Sequence, residues 1–474
     1  SLSSGPVSMS TLRRSKSIAF ILSALLWAQS VSAGDLLVEG GRIFTGLTDS
    51  LQPNAGILVR NGRIVAIGSM AETEDIERLQ LADDDTILPG LIDLHAHYKI
   101  YIDGRRRDET VANPVIYLAN GITTTFTAGE LNPYDMLELK QAINRGDRIG
   151  PRLLTTGPYF GPTNPKWSKD DTTEDVYAQV DKWAALGVDG FKAKRVTAAQ
   201  MQALIERAHA HGLTVTAHLD SGFNDTINPA DAVRMGIDRI EHFHGGALLP
   251  PERSAYDSFK ELNPNDPRLN DVFDLFIEHG VSYSATVSAY GQVANSDDDA
   301  LDICCDQYRY LTPYTRRMTE QAVMDEAFLH TFNAIYERKK IVVKRFYDRG
   351  GTIVLGSDRQ LWEGTVPGFA VHTELRVLSE AGIPNADVLR IATINGARAI
   401  GFGDRLGTIE VGKLADFFVV KGDPLDDITR TREVHTVVRN GDVYDSGQLL
   451  ESVVGKLGPE NADGWPDYSE DYRD

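Results

Sequence analysis

The sequence predicts an α/β chain: a (β/α)8 TIM barrel with a small β-sandwich domain built from both chain ends. Three observations predict it. Strand-like and helix-like segments alternate through the middle of the chain, giving eight strand candidates. Both ends have another texture, short apolar runs joined by hairpin turns. Ionisable residues stand at the C-terminal ends of the middle strands one after another, where a barrel of this class carries its function. A doubly wound open sheet is the competing fold. No Gly-x-Gly-x-x-Gly follows the first strand to support a dinucleotide-binding version of it.

A chain of 474 residues is too long for one ordinary core, which suits one large domain plus a smaller one. The hydrophobic share of 42% and charged share of 24% are those of a soluble globular protein. With 48 basic and 68 acidic residues the net charge is −20, and no basic stripe is available to meet nucleic-acid phosphates.

The first 33 residues read as a leader. Arg13, Arg14 and Lys16 form a basic region, Ile18 to Ala28 a short apolar run, and Val31-Ser32-Ala33 a small-x-small cleavage site. The run is short for a membrane span, and no cysteine near the cleavage site offers a lipid anchor. The expectation is a mature chain from near Gly34, exported to a periplasm or secreted, without a stable membrane anchor. The only thiols, Cys304 and Cys305, are adjacent and give no disulfide framework.

Taken in order, residues 34–88 form the first part of the predicted β-sandwich. Leu36-Leu37-Val38, Ile57-Leu58-Val59 and Ile64 to Ile67 are its strands, with a hairpin signal at Asn61-Gly62. Residues 89–404 form the predicted barrel. Its first strand belongs to an apolar run from Thr86 to Leu94 that leads into His95 and His97. The others are Gly121 to Ala128, Arg152 to Thr156, Val188 to Lys194, Thr214 to Leu219, Arg239 to His242, Ser282 to Ser288 and Thr352 to Leu355. Helical spacing covers Glu174 to Leu186, and Thr197 with Gln200 makes a capping box for the helix that stops at Gly212. Pro250 to Lys340 is long enough for helices beyond the barrel, a lid or a contact in a homo-oligomer. Residues 405–450 return to strands, Phe417 to Val420 and Val434 to Val438, with a second hairpin at Asn440-Gly441. Residues 451–474 are an acidic tail, expected as an extended or surface-packed arm.

The candidate site follows from the strand ends. Alternate residues of a strand face one way, so His95 and His97 present two imidazoles together, an arrangement suited to a divalent ion. Lys192 and Lys194 stand on the fourth strand, His218 ends the fifth, His242 and His244 follow the sixth, and Asp358 ends the eighth. Singly, each also reads as an ordinary structural residue, and Asp358 as a helix N-cap. Their joint placement carries the prediction. Arg359, Tyr98 and Tyr159 are candidate substrate contacts, and His244 a candidate oxyanion donor.

The quoted segments resemble the amidohydrolase superfamily: Pro89-Gly90-Leu91-Ile92-Asp93-Leu94-His95-Ala96-His97, Phe191-Lys192, Ala217-His218, Ile240-Glu241-His242 and Gly356-Ser357-Asp358. Two further stretches also match, Ala392 to Ala397 and Gly407 to Phe417. The chain looks most like the branch that includes prolidase-like and Xaa-Arg dipeptidases. That resemblance implies two divalent ions, zinc foremost. His95, His97 and Asp358 would hold one, His218 and His242 the other, with a carboxylated Lys192 between them and Lys194 as the rival bridge. It implies hydrolysis of an amide in a dipeptide or N-acyl amino acid, with Asp358 as the base. A lactone, carbamate, aryl amide or cyclic amide is the alternative substrate, and a catalytically dead binding protein the alternative of another class. These peptidases often have a tyrosine close after the fifth-strand histidine, where this chain has Leu219-Asp220-Ser221.

Overall fold

The computed structural model describes residues 34–69, 76–102, 104–301, 306–322, 324–361 and 365–464. The leader, Cys304 and Cys305, and the end of the acidic tail lie outside the described residues. The chain begins with seven short strands: β1 (Leu36–Glu39), β2 (Arg42–Ile43), β3 (Gln52–Pro53), β4 (Ile57–Arg60), β5 (Arg63–Ile67), β6 (Glu77–Gln80) and β7 (Asp85–Pro89). Asn61 and Gly62 both take positive φ, 49° and 71°, in the primed turn that joins β4 to β5. There follow β8 (Leu91–Ala96), a hairpin of β9 (Lys99–Ile102) and β10 (Arg105–Asp108), and then β11 (Ile122–Thr127) and β12 (Arg152–Leu154). Next come β13 (Gly190–Lys194), β14 (Thr214–His218), β15 (Arg239–Glu241), β16 (Ser282–Ser284) and β17 (Ile353–Val354). β18 (Phe417–Lys421), β19 (Val434–Arg439) and β20 (Asp442–Asp445) end the series.

One sheet draws on both chain ends, in the order β20-β19-β18-β7-β2-β3, and a second, β5-β4-β1-β6, comes from the N-terminal part alone. Leu36, Val38 and Ile57 of the smaller sheet share an apolar cluster with Ile87, Phe417 and Val419 of the larger.

The middle of the chain is TIM-barrel-like. Parallel strands form a sheet of order β12-β11-β8 and another of order β13-β14-β15-β16-β17. Backbone hydrogen bonds cross both gaps between them. Leu94 N donates to Leu355 O at 3.0 Å on one side; Phe160 N donates to Lys192 O at 2.9 Å and Lys194 N to Phe160 O at 2.8 Å on the other. Strands such as β8 and β11 are buried along their whole length, as expected where both faces of a parallel sheet are covered.

The apolar run from Thr86 to Leu94 is two strands rather than one. It divides at Gly90, where an added Cβ would come within 2.0 Å of Thr123 Oγ1. Before the break β7 pairs with β18, Pro89 opposite Phe417; after it β8 pairs with β11, Leu91 opposite Ile122. Apolar patterning alone does not reveal such a change of sheet. A second difference concerns Ser282 to Ser288. Only its first three residues are strand, because Thr286 takes φ 51° and a helix, Val287–Val293, starts directly after it.

The segment from Pro250 onward holds helices, including Ala255–Phe259, Leu269–Glu278 and the 23-residue Glu326–Asp348. The acidic tail is not wholly an outer arm. Val453 and Leu457 pack with Ile100, Tyr310, Leu311 and Phe369. No helix among the described residues is long and apolar enough to cross a membrane.

Candidate metal centre

The barrel-like sheet brings the two ends of the motif set together through backbone bonds. Asp358 N donates to His95 O at 3.0 Å, so residues more than 260 positions apart become neighbours. Asp93 secures this junction. Its carboxylate accepts from Ser357 Oγ at 2.6 Å, Ser357 N at 3.1 Å and His95 N at 3.0 Å. Burial pushes the Asp93 carboxyl up to about 6, against the opposing pull of these hydrogen bonds. Gly356 is required by contact: a Cβ there would come within 2.7 Å of His95 Cβ.

Around Asp358 the predicted imidazoles converge. Oδ1 lies 2.9 Å from His97 Nε2 and 3.0 Å from His95 Nε2, and Oδ2 lies 3.8 Å from His242 Nε2. The His218 ring centroid is 4.1 Å from that of His242. Asp358 and His242 both hold left-handed backbone, φ 44° and 66°, a strained state for residues with side chains. Lys192 is buried at the same level and contacts Glu241 Oε2; that same oxygen lies 3.5 Å from His95 Nδ1. Glu241 Oε1 accepts from Thr216 Oγ1 at 2.8 Å.

Burial fixes the charge states. It strips the imidazoles of water and lowers His95 to about 4 and His97, His218 and His242 well below the ordinary histidine value. All four are therefore neutral at pH 7, the form with a lone pair for a cation. Burial alone would raise the Asp358 carboxyl, but the imidazoles of His95, His97 and His242 hold it well below the usual carboxylate range. Burial also drives the Lys192 ammonium well below its ordinary value.

The donor set fits a metal ion. Ligand atoms of His95, His97 and Asp358 lie within 4.8 Å of one another, and so do those of His95, Glu241 and His242. Nitrogen and carboxylate oxygen donors, held deprotonated and buried, are what a divalent zinc-like ion takes. The buried Nδ1 atoms of His95 and His97 have no hydrogen-bond partner.

His242 is oriented from behind. The Thr286 hydroxyl donates to Ala285 O at 2.7 Å, so it can only accept from His242 Nδ1–H, 2.7 Å away. That fixes the tautomer and leaves the Nε2 lone pair facing Asp358. Tyr283 Oη donates to the His242 carbonyl at 2.7 Å, and Lys339 Nζ donates to the same oxygen. Thr286→Val is expected to lower metal affinity or turnover by roughly 10–100-fold with the fold intact. Metal titration and circular dichroism of the variant check this.

The other predicted contacts are placed differently. The strand ends at Glu241 and His242 turns the chain, so His244 does not continue the face of His242. Its ring is buried against Phe273, Phe276, Phe346 and Tyr283, away from the imidazole cluster. Tyr98 alternates away from His97; its hydroxyl is 2.9 Å from Thr125 Oγ1 and its ring packs on Tyr117. Arg359 is buried directly after Asp358. Tyr159 accepts from Lys99 Nζ at 2.8 Å and has Lys194 Nζ 5.9 Å from its ring centroid. Residues that sequence reasoning passed over are Asp93, Glu241, Thr286, Lys99, Tyr256 and Tyr290. Asp93 and Glu241 stood inside the quoted motifs. The other four lie after strand ends, where only the three-dimensional path shows what they meet.

Comparison with known proteins agrees with the fold. An imidazolonepropionase of Geobacillus sp. (strain WCH70) is 24% identical over 437 residues, covering 84% of this chain and 91% of that enzyme. A Xaa-Pro dipeptidase structure with methionine in its active site superposes with a TM-score of 0.66 at 22% identity, covering 87% of this chain and all of that one. Molinate hydrolase superposes with a TM-score of 0.64 at 16% identity, covering 91% and 99%. Residues 86–444, most of the chain, match the Amidohydrolase family. The chain belongs to the amidohydrolase family.

Proposed function

We propose that the chain is a hydrolase of a carbon–nitrogen bond that works with two divalent ions, zinc foremost, on an amide of a small substrate such as a dipeptide or N-acyl amino acid. The two sheets then act as one (β/α)8 barrel, with residues 34–88 and 405–450 as a β-sandwich domain beside it. The observation that carries the reading is the Asp358 carboxylate shared by His95 and His97 within 3.0 Å and faced by His242 at 3.8 Å. Asp358 and the paired imidazoles would hold one ion and His218 and His242 the other. Lys192 would join the set only as a carbamate, since an unmodified ammonium has no lone pair to give.

When bound, such ions acidify water and polarise a carbonyl. The chain supplies the proton path. Asp358 accepts a proton from the attacking water as the C–O bond forms, and returns it to the nitrogen as the C–N bond breaks. The products are a carboxylate and an amine. Tyr256 Oη, 3.3 Å from His218 Nε2, and Tyr290, its ring 5.9 Å from that of His242, wall the cluster and limit water.

Two measurements test the reading. Elemental analysis is expected to find about two divalent ions per chain, and chelation to abolish turnover that zinc then restores. A panel of dipeptides, N-acyl amino acids, lactones and aryl carbamates is expected to show turnover in the amide classes. Metal-free protein, or turnover of lactones alone, overturns it.

A further inference from the structure

From the arrangement around Tyr159, we infer that Lys99 and Lys194 form a seat for a carboxylate on the substrate, opposite an aromatic wall that takes its apolar end. This rests on the amide-hydrolase reading and specifies its substrate: an amide with an anionic group on one side and an aromatic or large apolar group on the other.

Lys194 stands one same-face step beyond Lys192 on β13, about 6–7 Å farther toward the mouth by strand rise, and Lys99 opens β9 two residues after His97. Tyr159 lies between them. Lys99 Nζ donates to its hydroxyl at 2.8 Å and sits 5.3 Å from the ring centroid; Lys194 Nζ sits 5.9 Å from the same centroid. Each lysine stands two residues from a candidate ligand, so the group borders the metal centre.

Among the described residues neither ammonium has a carboxylate within 4.0 Å, although the chain carries 68 acids. Asp108 stands opposite Lys99 in the β9–β10 pair, but its carboxylate accepts from Leu131 N and Asn132 N at 2.7 Å each. Two half-buried like charges beside a site for dications repel one another and the ions. An anion between them removes that repulsion and supplies the missing partner.

The other half of the mouth is aromatic. Tyr256 reaches His218, Tyr290 faces His242, and Phe332 stacks on Tyr290 at 5.2 Å and packs on Tyr256 at 5.7 Å. The cations follow β8 and β13 while the rings follow β15 and β16, so a substrate lying across the centre meets a charge at one end and rings at the other.

The test uses the metal-loaded full chain, a panel of N-benzoyl amino acids and the matching carboxamides. The parent protein is expected to favour acids over carboxamides at least 100-fold in kcat/KM. In Lys99→Met and Lys194→Met this ratio falls at least tenfold, chiefly through KM. A merely structural role would lower both substrates together and leave the ratio unchanged, and that result overturns the proposal. Calorimetry with N-benzylglycine and its carboxamide, neither containing the benzoyl amide of the substrates, gives a readout independent of benzoyl-amide turnover: the acid binds at least tenfold tighter to the parent, and the preference is lost in both variants. Equal binding of acid and carboxamide by the parent overturns the seat. If acids bind preferentially while no amide is hydrolysed, the seat stands and the amide-hydrolase reading falls.

Discussion

Asp358→Asn is expected to lower kcat by roughly 10²–10⁴-fold, the range of a lost general base, while most of the metal stays bound. The geometry separates the two effects. An asparagine oxygen can still lie between His95 and His97, which now meet Asp358 Oδ1 at 3.0 and 2.9 Å, so a donor remains. What disappears is the ionised carboxylate. In the folded chain Asp358 is held well below the usual range, hence charged at neutral pH. An amide has no comparable basicity. Steady-state kinetics beside elemental analysis give the answer. Near-parent kcat in a metal-replete variant removes Asp358 from the proton path; loss of metal together with activity makes it a ligand above all.

Lys192→Ala is expected to empty at least one metal position and lower activity by roughly 10³-fold or more, as when any ligand of a joined metal pair is removed. Lys192 is buried and touches Glu241. Two arrangements account for that contact. In one, the nitrogen carries CO2 as a carbamate, and Glu241 is held aside by Thr216 Oγ1. In the other, Lys192 remains a counter-ion and Glu241 is the ligand, one of the triad with His95 and His242. Burial of the amine favours its uncharged form, the nucleophile that CO2 requires. The carbamate arrangement predicts that metal reconstitution of the parent is accelerated by bicarbonate and that short carboxylic acids restore part of the Lys192→Ala activity. Glu241→Gln then keeps most of its metal. Failure of both treatments, with metal loss in Glu241→Gln, assigns the role to Glu241.

Much of this centre was legible in the sequence because strand geometry translates directly into facing. His95 and His97 share a face by alternation, and His218, His242 and Asp358 stand at or after the ends of the parallel strands β14, β15 and β17. The capping box at Thr197 and Gln200 and the two Asn-Gly turns are local chemistry, and local chemistry can be read from neighbouring residues. Three things could not be read that way. The division at Gly90 depends on Thr123, more than thirty residues away. The fate of His244 depends on the positive φ of His242, which turns the chain and sends the next imidazole into a cluster of phenylalanines. The partnership of Lys99 with Tyr159 spans 60 positions and joins the first residue of β9 to a segment after β12 with which it shares no pattern.

The pairing of β7 with β18 bears on how the protein is made. A ribosome delivers residues 85–97 long before residues 417–439, yet β7, which directly precedes the strand carrying His95, rests against β18. Every candidate metal ligand has been synthesised by position 358, but its foundation is laid only some sixty residues later. A chain truncated before Phe417 therefore holds the whole candidate ligand set without β18 to pair with β7.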